Sequence, residues 1–208
     1  MKVFQLQDDW SIAHLRLAER PRPTPGPGEV ILSMRAASLN YRDLVVVRRG
    51  YGHLTGSLPL IPVSDGVGEV VETGPGAEDV SVGERVCPMF MQAWSAGPPS
   101  RERLTATLGG PLDGAMAEFM CVPARSVARV PAHLSDEAAA TLPCAALTAW
   151  NALITEGRLQ PGETVLVQGT GGVALFALQF AKLAGARVIV ISSSAAKLER
   201  ARQLGADY

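Results

Sequence analysis

Between two apolar runs the chain reads Gln168-Gly169-Thr170-Gly171-Gly172-Val173-Ala174. Glycines at this spacing strip away side chains so that backbone N–H groups can approach an anion. Gly169 lets the chain reverse sharply. Gly171 and Gly172 open the backbone toward a pyrophosphate, and the Val173 amide follows them into the positive end of a helix. Ala174, at the third fingerprint position, is small enough for a helix to lie close on a strand. The string alone is a weak signal, because glycine turns are common; its setting gives it weight.

A second group, Ser192-Ser193-Ser194 followed by Lys197, bears on which dinucleotide is held. Binders of NAD usually carry an Asp or Glu here to accept from the adenosine ribose hydroxyls. This chain has no carboxylate until Glu199. The Ser192 and Ser193 hydroxyls with the Lys197 ammonium suit a 2′-phosphate, supplying hydrogen bonds and a countercharge. The plainer reading is a helix-capping serine and a solvated lysine. NADP(H) is the expected cofactor.

The elements that must position these groups follow from periodicity. Thr164-Val165-Leu166-Val167 and Arg187-Val188-Ile189-Val190-Ile191 read as strands, with helices expected over 175–184 and 197–204. Upstream, strands are expected over 1–7, 12–17, 29–36, 80–86, 114–122 and 126–130, punctuated by Gly and Pro as in a β-barrel-like module. The stretch 92–113 lacks periodicity and reads as a mobile loop. Ser135 is a good N-cap for a helix running from 138 to 153 with a break at Pro143. The fold class is therefore α/β plus all-β, a barrel-like module followed by an incomplete doubly wound parallel sheet.

Composition narrows the partners. A net charge of −1 offers no basic stripe for nucleic acid. Cys87, Cys121 and Cys144 are scattered and form no C-x-x-C pair, which fits a reducing cytoplasm. No apolar run reaches membrane-spanning length, so no membrane partner is expected.

With these pieces placed, the chain resembles the medium-chain dehydrogenase/reductase superfamily, in its zinc-free quinone-oxidoreductase-like branch. The resemblance rests on Asn40-Tyr41-Arg42-Asp43, on Pro62-Val63-Ser64-Asp65-Gly66-Val67-Gly68-Glu69-Val70 and on Gly83-Glu84-Arg85-Val86. It continues through Ala138-Ala139-Ala140-Thr141-Leu142-Pro143, Leu147-Thr148-Ala149-Trp150 and the glycine turn. It implies a GroES-like β-rich catalytic domain over 1–124, a connecting strand and helical segment over 125–160, and the first part of a Rossmann domain over 161–208. It also implies a homodimer.

Departures from the zinc-dependent relatives are informative. Their catalytic metal is held by a Cys, a His and a further Cys or Asp. Here the first two positions are Asn40 and Ser64; only Cys144 fits, and one thiol cannot make a tetrahedral site. The loop matching their structural zinc, near 88–110, contains no cysteine. No metal is expected, and Cys144 reads as a small buried helix residue. Without a Lewis acid, an alkoxide is poorly stabilised, whereas an electron-poor quinone or α,β-unsaturated carbonyl can still accept hydride.

The resemblance places Asn40 and Thr148 toward the nicotinamide end of the cofactor. Tyr41 and Tyr51 are candidate donors to a substrate oxygen. Local roles compete in each case: turn satisfaction for Asn40, backbone bonding for Thr148, packing for the tyrosines. Arg42 and Asp43 read as structural. The expected activity is NADPH-dependent reduction of a quinone or enone. An NADP-dependent alcohol dehydrogenase and a non-catalytic nucleotide-binding module are the alternatives. Because the chain stops where a third strand should begin, it is expected to be a fragment of a longer oxidoreductase, needing the rest for activity.

Overall fold

The computed structural model describes residues 1–208, which divide into two compact units, Met1–Pro143 and Cys144–Tyr208.

In the first unit, β1 (Lys2–Leu6) and β2 (Leu15–Glu19) form an antiparallel hairpin. A five-stranded antiparallel sheet contains β3 (Glu29–Ser38), β4 (Asp65–Thr73), β5 (Arg85–Pro88), β6 (Phe119–Pro123) and β7 (Val127–Arg129), in the order β6-β3-β4-β5-β7. The core follows from alternation: Val30 and Leu32 of β3 share one cluster with Val70, Val86, Met120 and Val122. Helix α1 (Tyr41–Val47) follows β3, and α2 (Arg101–Thr105) is a single turn begun by Ser100, whose Oγ accepts from the Arg103 amide. Helix α3 (Asp136–Ala140) starts at Ser135, which accepts the Ala138 N–H as its residue type predicts, and packs on β3 and β4.

Several sequence expectations need correction. The stretch 92–113 is more than a loop: it holds α2 and bridges Met91 to Thr107. Arg42 ties it down, donating to Leu108 O at 2.9 Å and Gly110 O at 3.2 Å, bonds from far along the chain that local periodicity cannot reveal. The strand expected over 80–86 begins only at Arg85, because a turn at Gly83 (φ 90°) closes on Ser81 and Val70. The strand expected over 114–122 begins at Phe119. The break expected at Pro143 is present, and the helical stretch 138–153 is divided further than expected. After α3 the chain runs through a wide-turned stretch Leu142–Ala146, α4 (Leu147–Trp150) and a second wide stretch Asn151–Glu156. Pro143 has no N–H for the Ala139 carbonyl four residues back, and that carbonyl accepts the Cys87 thiol instead, at 3.4 Å.

One backbone position is under strain. Val63, β-branched and buried, sits at φ 73°, a conformation that costs a bulky residue about 1–3 kcal/mol. Its carbonyl accepts the Ala115 N–H at 2.7 Å, while Gly114 donates to Ile61 O at 2.7 Å. The two backbones come so close that a Cβ at Gly114 would meet Val63 O at 2.1 Å and Pro62 O at 2.5 Å.

In the second unit, β8 (Thr164–Gln168) and β9 (Arg187–Ile191) pair in parallel, with Thr164 opposite Arg187 and Gln168 opposite Ile191. Helix α5 (Gly172–Leu183) lies on them through Leu178 and Ala181, and α6 (Ala195–Gln203) through Ala201. Beyond α6 the chain runs beside β9: Asp207 donates to Val188 O and Val190 donates to Tyr208 O. The Asp207 carboxylate takes both Lys182 Nζ and the Val188 N–H, which hold its pKa below the ordinary value.

Gly114→Ala is expected to destabilise the first unit by about 3 kcal/mol, since the obstacle is backbone that cannot rotate away. Thermal unfolding of the variant checks this; a melting temperature within a degree of the parent would show that the two backbones separate freely.

Candidate cofactor site

Strand β8 runs straight into the glycine bend. Gly169, at φ 91°, donates to Ile191 O at 2.8 Å, so the bend and the Ser192–Ser194 segment lie together at the carboxyl ends of two neighbouring parallel strands. Helix α5 begins three residues earlier than its apolar run suggests, and Gly172, Val173 and Ala174 form its first turn. The Gly171 carbonyl accepts the Leu175 amide, and no side chain caps this end. The first-turn amides are left with no partner inside the helix. Ala174 packs against the core of the second unit, in keeping with the close approach its size allows.

The glycines differ in what they face. A Cβ on Gly169 or Gly171 would meet nothing within 4 Å, and one on Gly172 would touch Ala145 Cβ at 3.4 Å. Gly171 has φ −79° and ψ −178°, extended backbone open to any residue. Neither protein packing nor conformation requires glycine at 171. The open space beside a row of free amides fits a dinucleotide pyrophosphate.

Past β9, Ser192 Oγ accepts the Ser194 amide at 3.3 Å, and Ser194 Oγ accepts the Lys197 amide at 3.4 Å, capping α6. The capping role therefore falls to Ser194. Ser193 and Lys197 are exposed, and Glu199, the first carboxylate, pairs with Arg202 at 3.4 Å. Thr148, in the short α4, is exposed.

In the first unit, Asn40 precedes α1 and donates its backbone N–H to Asp43 Oδ2 at 2.7 Å. Its side-chain Nδ2 is buried without a partner, a donor lacking an acceptor. Burial pushes the Asp43 carboxyl above its ordinary range, against the opposing pull of the Asn40 N–H and the Arg42 guanidinium. Tyr41, adjacent in sequence, is 80% exposed. Tyr51 is 44% exposed, its ring 5.9 Å from the Arg42 guanidinium, which also lies 4.6 Å from the Phe90 ring. Sequence reading found Arg42 structural but missed that it links Tyr51 and Phe90 to the 107–112 segment. The signal lies only in tertiary contacts.

Asn40 and Ser64, which the resemblance sets against two zinc-ligand positions, carry an amide and a hydroxyl. Ser64 is fully buried and donates to Asp65 Oδ1 at 2.7 Å, and Asn40 presents a neutral amide. No group of three or more His, Cys, Asp or Glu side chains comes together that could hold a metal ion. The first-unit thiols are no better suited as ligands or nucleophiles. Burial, reinforced by the Asp65 charge, pushes Cys87 up to about 11. Burial and the neighbouring Glu29 push Cys121 to about 11 as well.

Comparison with known proteins gives this geometry a context. Residues 26–132 match the alcohol dehydrogenase GroES-like domain and residues 172–208 the zinc-binding dehydrogenase family. The chain is 46% identical to a zinc-type alcohol dehydrogenase-like protein of Schizosaccharomyces pombe over 88% of its own length and 53% of that protein's. It is 36% identical to the acryloyl-coenzyme A reductase of Metallosphaera sedula, over 84% of its length and 54% of that enzyme's. Among solved structures, an NAD-dependent alcohol dehydrogenase superposes with a TM-score of 0.87 at 35% identity, covering 100% of this chain and 62% of that one. A mycobacterial protein complexed with NADPH superposes at 0.78 and 32% identity, covering 100% and 56%. The chain thus spans about half the length of the curated relatives it matches.

At pH 8 a thiol with a pKa of about 11 is thiolate in roughly one molecule per thousand. Iodoacetamide should therefore leave Cys87 and Cys121 unlabelled in the folded chain and label both in urea. Mass spectrometry reads the outcome, and fast labelling of either in the folded chain would contradict its assigned environment.

Proposed function

The chain belongs to the medium-chain dehydrogenase/reductase superfamily, and from that premise we propose that it is part of an NADPH-dependent, zinc-free reductase of quinones or α,β-unsaturated carbonyls. The observation that carries this reading is the uncapped start of α5 beneath glycines that open on empty space. Bound there, NADP(H) supplies a hydride to an electron-poor acceptor.

The chain's own residues have separate tasks. The amides at Gly171, Gly172 and Val173 hold the pyrophosphate, and Gly169 turns the backbone to present them. Ser192, Ser193 and Lys197 receive the 2′-phosphate, with Lys197 as countercharge. In the second unit Thr148 serves the nicotinamide end. In the first unit, the side-chain Nδ2 of Asn40 is a donor without a partner. Tyr41 and Tyr51 hold phenolic protons for the oxygen on which negative charge grows during reduction. Arg42, fixed below Tyr51 by two carbonyls, keeps that ring in place. The name of the Metallosphaera sedula relative, a reductase of an activated double bond, supports the acceptor class. The NAD-dependent alcohol dehydrogenase among the similar structures favours alcohol oxidation as the second reading.

Two titrations test the cofactor. Gly171→Ala should leave stability within about 0.5 kcal/mol and weaken NADPH binding about tenfold. Lys197→Ala should weaken NADPH about tenfold and leave NADH within about twofold. Undiminished NADPH binding by Gly171→Ala would remove the pyrophosphate assignment, and equal losses for both dinucleotides in Lys197→Ala would remove the 2′-phosphate assignment.

The acceptor is tested with the full-length protein. Turnover of an enone or quinone with NADPH should exceed oxidation of a primary alcohol with NADP by at least about a hundredfold. Comparable rates would favour the alcohol reading instead.

A further inference from the structure

The amide row at the start of α5 sits where a neighbouring element puts it. Within the second unit, the stretch from Ala145 to Leu153 lies along α5. Ala145 and Ala149 are buried, and Leu153 packs into the cluster built by Ala174, Ala177 and Leu178 of α5. Residues four apart on a helical stretch fall on one side, so these three form a single contact face. Trp150 adds an edge-on contact to Phe180, with ring centroids 5.5 Å apart.

That face ends at the glycine bend. A Cβ at Gly172 would meet Ala145 Cβ at 3.4 Å and, apart from its own helix and chain neighbours, nothing else within 4 Å. The gap between the two residues therefore holds one carbon and no more. Gly172 opens α5, with Val173 and Ala174 in the same turn. Ala145 lies in the wide-turned stretch Leu142–Ala146, and wide turns within helices recur at functional sites.

We propose, resting on the reading that this bend holds a dinucleotide, that Ala145 is a positioning residue for the pyrophosphate. It acts through Gly172: its methyl braces the first turn of α5 and so sets where the free amides stand. Ala145→Val adds two carbons about 1.5 Å beyond Cβ, where there is room for one. β-Branching leaves them one preferred rotamer on a helix, so they cannot swing clear. A close-packed interior transmits such an intrusion, which displaces the first turn of α5. Groups that hold a ligand through several bonds at once tolerate only a fraction of an ångström of misplacement.

Calorimetric titrations of the full 208-residue chain test this role. The probes are NADPH and adenosine 2′-monophosphate, which has the 2′-phosphate but no pyrophosphate. Ala145→Val should weaken NADPH by at least about tenfold and leave the monophosphate within about twofold. Ala149→Val overpacks the same face one turn farther from the bend and should leave both within about twofold. If Ala145→Val does not fold, Ala145→Ser, larger by one atom, is read the same way, with about a threefold selective loss. The role of Ala145 is overturned by undiminished NADPH binding, by equal losses of both ligands, or by the same selective loss in Ala149→Val. A parent chain that binds no NADPH overturns the cofactor reading itself, and the role of Ala145 with it.

Discussion

A helix that begins with no side chain to satisfy its first amides must find its acceptor outside the chain, and α5 begins that way. Ser100, Ser135 and Ser194 show that this chain caps helices readily where nothing else needs the amides. At Gly171 it does not, and it keeps glycine where sterics would admit any residue. The parallel pairing of β8 with β9 aims both strands' carboxyl ends at the same place, so the free amides and the serine-rich segment sit at one end of the sheet. The proposed assignment of a dinucleotide rests on that coincidence.

The first unit depends on a different constraint, the anchoring of segments that lack regular structure. Arg42 spends its guanidinium on two carbonyls and two aromatic faces, which fixes 107–112 against α1. Glycines at 109 and 114 let the same segment pass within contact of the strained Val63 backbone. Asp43 is buried with Oδ1 lacking a hydrogen bond and 3.8 Å from Arg42 Nη1, and its other oxygen fixes the backbone of Asn40. A polar side chain that stays unsatisfied inside such a frame is poised to meet a ligand.

The chemistry left to this frame is that of hydrogen bonds and protons. Asn40 offers an amide, and Ser64 a hydroxyl whose proton goes to Asp65. The neighbouring thiol of Cys87 is kept protonated by burial and by that same aspartate. These groups can orient and donate hydrogen bonds.

Much of this was legible in the sequence. The two β-branched runs, the glycine string between them and the serines after the second specified a parallel strand pair with a glycine bend and a serine segment at its carboxyl ends, because each signal is local and obeys the period of its own element. Tertiary structure decided the rest. Arg42 anchors the Leu108 and Gly110 carbonyls from 66 and 68 residues upstream; Gly109 and Gly114 let the chain pass close to the strained Val63 backbone. The interruption near Pro143 was visible, but that its freed carbonyl would bind Cys87 was not. Hydrogen bonds between distant residues leave no periodic trace, so only the folded chain could show which of its polar groups are spent and which remain unused.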